Sequence, residues 1–178
     1  KGLVPREVVR VVTPGTLVEE GLLQPRTNNY LASIVFTSAE AGLALVDIST
    51  GEFFATEIRG TTWKTQLPSE LERTKPVECL VSKRVVEDSQ IIALLPQDTH
   101  ITARDDPTFS LDFAERLLRN HFKVATLDCF DLPAHPLAMR AAGSLLAYLK
   151  ETQPSSLGHL ESIHVYSVDR YMKLDATA

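Results

Sequence analysis

The chain has 178 residues, 44% of them hydrophobic and 23% charged, an ordinary globular composition with room for one sizeable domain and part of another. A formal net charge of −5 and the lack of a dense Lys/Arg stripe argue against tight, unaided DNA binding; Lys83-Arg84 and the pair Arg116 and Arg119 are the nearest approaches. Two distant cysteines, Cys79 and Cys129, make no disulfide framework, and the absence of a signal peptide or an apolar run of transmembrane length makes the cytoplasm the expected compartment, with no membrane partner.

Val8, Val9, Val11 and Val12, interrupted by Arg6, Glu7 and Arg10, predict a strand. It stops at Pro14-Gly15. Pro14 has no N–H to continue a ladder and Gly15 admits positive φ, so the pair predicts a type II turn. Thr16 can then cap a short stretch, 17–21, whose Glu19 and Glu20 suit a helix N-terminus.

Three strands follow, over 29–37, 43–49 and 52–58. Turns at 38–42 and Thr50-Gly51 join them into an antiparallel meander, and the second strand is apolar on both faces and therefore central. Trp63, Leu67 and Leu71 at helical spacing predict a helix over 61–74, with a kink or a break at Pro68 and a stop at Pro76. Next come a strand over 77–82, with Cys79 as a small core residue, a short helix over 85–95 and a strand over 100–103.

A clearer helix over 108–122 buries Leu111, Ala114, Leu117, Leu118 and Phe122, and turns Asp112, Glu115, Arg116 and Arg119 outward. After a loop over 124–133, the most regular helix runs over 136–152, with Pro136 in its first turn and Gly143 allowing close packing. Past Pro154 only two short extended pieces are predicted, 162–168 and 171–174, too small to bury themselves. Residues 1–153 therefore read as one domain and 154–178 as the start of another. A first residue other than Met and a tail that stops in mid-element lead us to expect a piece of a longer protein, its tail poorly ordered or held by neighbouring molecules.

This order of elements describes an α/β domain. Its mixed sheet is an antiparallel three-stranded meander extended by parallel strands and flanked by helices, the arrangement of the RNase H-like fold. Such a fold invites a metal-dependent nuclease acting on branched DNA, whose chemistry needs several carboxylates around two divalent metals. The first strand of the meander carries no acid, which leaves Asp47, Glu52 and Asp112. Asp47 reads better as a cap for the turn at Ser49-Thr50-Gly51, and Asp105-Asp106 as a solvated loop. His100, His121, His135, His159 and His164 have no zinc spacing. There is no G-x-G-x-x-G, no Walker A sequence and no G-x-S-x-G, so no catalytic, cofactor-binding or metal residue is assigned.

RVVTPGTL (10–17), NNYLASI (28–34), LALVDISTGEF (43–53), ELERTKPVECLV (70–81), AAGSLLAYLKETQ (141–153) and HLESIHVYSVDRYMKLDATA (159–178) together resemble the MutS family of DNA mismatch-repair proteins, in order and along nearly the whole chain. The resemblance implies the connector domain, domain II, followed by the start of the core or lever domain, domain III. It makes the turn at Pro14 and Gly15 the junction with a preceding mismatch-reading domain. It implies a non-catalytic module that links the mismatch reader to the ATP-driven core and docks MutL. ATP, Mg, mismatched DNA and a homodimer contact would belong to other domains. The family's Phe-x-Glu mismatch motif has only a chance match here, Phe113-Ala114-Glu115, inside a helix. For the MutL surface, the polar side of the helix over 108–122 is expected, chiefly Arg116 and Arg119. A weak, salt-sensitive DNA-backbone contact through Lys83 and Arg84 is a further expectation.

Overall fold

A computed structural model describes residues 11–16 and 28–170. Most of the strand expected at Val8–Val12, the stretch 17–21 and the piece 171–174 lie outside the described residues; Val11 and Val12 themselves are exposed and form no strand.

The meander is present as β1 (Leu31–Phe36), β2 (Glu40–Asp47) and β3 (Glu52–Arg59), antiparallel throughout, with Leu31 opposite Val46 and Asp47 opposite Glu52. The first turn is tighter than expected because β2 already begins at Glu40. At the second turn Gly51 takes φ 79°, a conformation glycine adopts without strain, and its N–H donates to the Asp47 carbonyl. β4 (Glu78–Ser82) lies parallel to β1, and β5 (His100–Arg104) lies parallel to β4. With the two-residue β6 (His164–Val165) parallel to β3, the strand order is β5-β4-β1-β2-β3-β6. The mixed sheet flanked by helices is the expected architecture.

Each sheet face carries its own core. On one, α1 (Trp63–Thr74) lays Trp63, Leu67 and Leu71 onto Ile34, Leu43 and Leu45. Full burial of side chains of this size contributes about 1.5–3 kcal/mol apiece. α1 is one unbroken helix across Pro68, so the break into two pieces does not occur: burial on both sides of Pro68 outweighs a single missing donor. The helix ends at Lys75, in the left-handed region, one residue before Pro76. The short helix expected over 85–95 is instead two single turns, α2 (Lys83–Val86) and α3 (Ser89–Ile92). Asp88 separates them because its carboxylate accepts the N–H groups of Gln90 and Ile91 and starts a new turn.

The other face is covered by α4 (Leu111–Phe122) and α5 (Pro136–Thr152). In α4, Ala114 and Leu118 are buried and Leu117 and Phe122 pack against the core, but Leu111 is 40% exposed and drops out of the predicted stripe. A 3₁₀ turn over Asp106–Phe109 takes its place, with Phe109 buried. α5 occupies its predicted span. Its first turn rests on the sheet backbone: a Cβ on Gly42 would fall 2.3 Å from the Leu137 carbonyl. The Glu57 carboxylate accepts the N–H groups of Leu137 (2.7 Å) and Ala138 (3.3 Å), a negative charge where a helix start favours one. Gly143 does allow close packing, since a Cβ there would sit 2.4 Å from that of Ala114 in α4. A buried Ser33–Ser144 hydrogen bond of 2.5 Å pins α5 to β1.

The described residues past Pro154, expected to lack partners, pack on the sheet and its helices. Leu160 and Ile163 join the α4/α5 core, Val168 joins the α1 core, and β6 pairs with β3 between them.

Candidate functional site

The corner at Pro14-Gly15 differs from its expected form. Pro14–Thr16 is a 3₁₀ turn and Gly15 is not among the positive-φ glycines, so no type II turn forms. Glycine is required there for space. A Cβ would lie 2.8 Å from the Leu31 Cβ and 3.1 Å from the Glu78 Cβ, so the corner backbone lies against the starts of β1 and β4. Thr16 is fully buried and ties back on the turn, its Oγ1 accepting the Thr13 N–H at 2.8 Å.

Beneath the corner is a residue whose role the sequence alone does not reveal. Glu78, first in β4, is fully buried, and each of its carboxylate oxygens accepts two hydrogen bonds. Oε2 takes the Thr13 hydroxyl (2.5 Å) and the Gly15 N–H (2.9 Å); Oε1 takes the hydroxyls of Thr102 on β5 and Tyr148 on α5, both at 2.8 Å. Each of these four donors is uncharged. Behind Tyr148, Arg104 lies 5.4 Å from the centre of the Tyr148 ring and pairs with Glu151. Burial, chiefly, pushes the Tyr148 hydroxyl up to about 12, with the neighbouring Thr13 hydroxyl pulling the other way and Glu78 adding to the rise. Bonds to a charged acceptor are each worth about 1.5–3 kcal/mol, set against the cost of burying that charge. The visible signal for this site was one acid inside the otherwise apolar run VECLVS.

The end of α5 closes on the same corner. The Val11 N–H donates to the Thr152 carbonyl (3.1 Å), and the Gln153 side-chain amide donates to the carbonyls of Val11 and Thr16, both at 3.3 Å. Asn29 adds a bond from its side chain to the Pro14 carbonyl (3.0 Å). The chain at 11–16 and the end of α5 at 152–153 are thus bonded to each other as well as to the sheet.

The expected docking residues lie elsewhere. Arg116 and Arg119 are exposed on α4 and, with Asp112, Glu115 and Asn120, line an open groove of about 330 Å³. Glu115 and Arg119 pair loosely at 3.7 Å, one helical turn apart.

The three acids of the nuclease reading are held in separate jobs. Asp47 caps the turn through Ser49 and accepts the Asn29 N–H, Glu52 accepts the Tyr30 hydroxyl at 3.0 Å, and Asp112 lies on the α4 groove. Among the described residues no group of three or more His, Cys, Asp or Glu side chains could hold a metal. Lys83 and Arg84 are paired with Asp105 (2.6 Å) and Asp106 (2.5 Å), so this basic pair is locally neutralised, and the loop read as merely solvated supplies its counter-ions. Cys79 is buried, as expected, and burial pushes its thiol up; Cys129 is exposed. No helix among the described residues is long and apolar enough to cross a membrane.

A family model described as MutS domain II matches residues 29–161. Curated relatives include DNA mismatch repair protein MutS of Syntrophomonas wolfei, 40% identical over 98% of this chain and 21% of the relative. Those of Dehalococcoides mccartyi (40% identical) and Methanococcoides burtonii (34%) are each matched over 99% of this chain and 20% of the relative. The chain therefore spans about a fifth of the length of these relatives.

Proposed function

The chain belongs to the MutS family as its domain II, and from that premise we propose that it is a non-catalytic connector with an RNase H-like fold, joining a mismatch-reading domain to an ATP-driven core and docking MutL. The observation that carries the linking role is the bonding of the incoming chain to the outgoing one around Glu78 and Gln153. A displacement arriving at 11–16 acts on the sheet and on the end of α5 together, so the body moves as one. Interiors packed this closely transmit strain. The junction residues of this reading are Pro14 and Gly15. The body is residues 1–153, and 154–178 begin the core domain, with 160–168 lying back on the body.

MutL docking is assigned to the outward face of α4, with Arg116 and Arg119 as its cationic contacts, since this face has an open groove and packs on nothing within the described chain. Without a Walker A sequence the chain offers no cradle for ATP and Mg, and these, with mismatched DNA and the homodimer contact, fall to other domains of the whole protein, which we place in the cytoplasm. Nothing in the relatives or the geometry supports the nuclease alternative.

Titration calorimetry of the chain against purified MutL, in moderate salt and without DNA, tests the docking role. The expected result is saturable one-to-one binding, lost in the Arg116→Glu, Arg119→Glu double variant while folding stability changes by less than about 0.5 kcal/mol, as for exposed positions. Binding that survives the double charge swap removes α4 as the docking surface.

A further inference from the structure

The segment 160–168 passes around the edge of the sheet. Leu160 and Ile163 are buried in the α4/α5 core and Val168 in the α1 core, so the chain crosses from one layer to the other at β3. Its strand pairing is minimal: only His164 and Val165 find register partners, Phe54 and Ala55. Val165 and Tyr166 pack against the two cores, Phe54 meets the rings of His164 and Tyr166, and polar contacts add to these. His121 Nε2 donates to the Leu160 carbonyl at 2.7 Å. The Tyr166 N–H donates to the Ala55 carbonyl at 3.0 Å, and Thr56 Oγ1 donates to the Tyr166 carbonyl at 2.7 Å. The Tyr166 hydroxyl donates to Glu70 Oε1 on α1 at 2.6 Å, and Arg73 grips the same carboxylate with two nitrogens. Gln66 bonds Asp169 at 3.0 Å.

We propose that residues 160–168 are a releasable strap: the lock of Tyr166 on Glu70 and Arg73, with the short β3–β6 pairing, holds it on the sheet, and it detaches as a unit while β1–β5 and α5 stay folded. Three observations favour a separate unit. The segment contributes three buried core side chains, with Val165 and Tyr166 packed beside them, against the many of α5. Its backbone pairing spans two residues where β2 and β3 pair over eight. Its strongest polar lock is tied to an arginine that is half exposed to solvent. Regions with few buried contacts open at lower free energy than the whole fold. While seated, the strap also covers the outer edge of β3, which would otherwise offer unpaired backbone groups to another chain.

Hydrogen exchange on the 178-residue chain across low urea concentrations tests this without any partner, so its outcome does not depend on the docking assignment. The amides of 163–168 are expected to exchange faster than those of β2 and with a weaker urea dependence. Tyr166→Phe is expected to speed them about tenfold, the worth of one hydrogen bond to a charged acceptor, while leaving β2 and α5 unchanged. Thr56→Val, which removes the bond to the Tyr166 carbonyl, should give the same local pattern and serves if Tyr166→Phe folds poorly. Exchange of 163–168 at the rate and urea dependence of β2 in the unsubstituted chain, or an equal loss of protection everywhere in both variants, overturns the strap.

Discussion

Glu70 and Glu78 are both buried carboxylates, eight residues apart, and they are satisfied in opposite ways. Glu78 sits in a cage of four neutral donors drawn from the corner, β5 and α5. Glu70 sits on α1 with a half-exposed guanidinium and one tyrosine hydroxyl. The first arrangement demands that four pieces of chain be in place at once, so it marks the part of the molecule that moves as a body. The second leaves its charge compensated by Arg73 even when Tyr166 departs, so it marks a joint that can open.

Removing the carboxylates separates the two most sharply. Glu78→Ala leaves three hydroxyls and the Gly15 N–H without their acceptor, and an unsatisfied buried donor costs about 1–3 kcal/mol. Because hydroxyls can rotate to other partners, the expected loss is about 3–5 kcal/mol in urea unfolding, not the full sum. Glu78→Gln should cost less, about 1–2 kcal/mol, with its amide oxygen toward the immobile Gly15 N–H and its nitrogen toward hydroxyls that can accept. A loss under 1 kcal/mol in the alanine variant would mean that the corner is not held by Glu78.

The next effect tests the body itself. Gly143→Ala drives a methyl to within 2.4 Å of the Ala114 Cβ and 2.5 Å of its Cα, so α4 must move away from α5. Overpacking of this kind costs about 1–3 kcal/mol, and it should lower the melting temperature without loosening the strap. Gly143 was correctly singled out in the sequence as a packing residue, because a glycine inside a strong helical pattern needs a reason. The span of α5 was legible for a related cause: Pro136 fixes its start and its apolar face repeats without interruption.

Other features were illegible because their causes are tertiary. Gly15 beside Pro14 carries the local signal of a type II turn, yet the constraint is the approach of Leu31 and Glu78 from elsewhere in the chain. Pro68 reads as a helix breaker until the burial of Leu67 and Leu71 is set against it. A two-residue strand has no periodicity to detect, so β6 and its strap looked like unpartnered chain. Glu78 stood out only as one acid among apolar neighbours, and its four donors come from three separate segments, none of them adjacent in sequence.

A smaller effect distinguishes the compensating charge. In Glu70→Gln the amide keeps an acceptor for Tyr166 but gives up the ion pair with Arg73, for an expected cost of about 1 kcal/mol or less, since Arg73 is 48% exposed. High salt should shrink the difference between this variant and the unsubstituted chain. Salt should leave the Glu78→Gln difference unchanged, because the Glu78 cage contains no cation to screen.

The finest distinction is in the tyrosines that serve the two carboxylates. Burial, first of all, raises both hydroxyls, Tyr148 to about 12 and Tyr166 further. An unfolded tyrosine ionises near 10. A group whose folded value lies above its unfolded value stabilises fully below the unfolded one and loses that contribution as pH climbs toward the folded one. Stability measured by urea unfolding should therefore be flat with respect to these groups up to about pH 10 and fall from there toward pH 12. Tyr148→Phe, compared with its own stability at pH 8, should show a shallower fall across that window. Tyr166→Phe should flatten the fall in strap protection more than the fall in global stability, because its hydroxyl is lost to solvent when the strap opens, before the body unfolds. Equal flattening of local and global curves by both variants would place strap and body in one cooperative unit and erase the difference between Glu70 and Glu78.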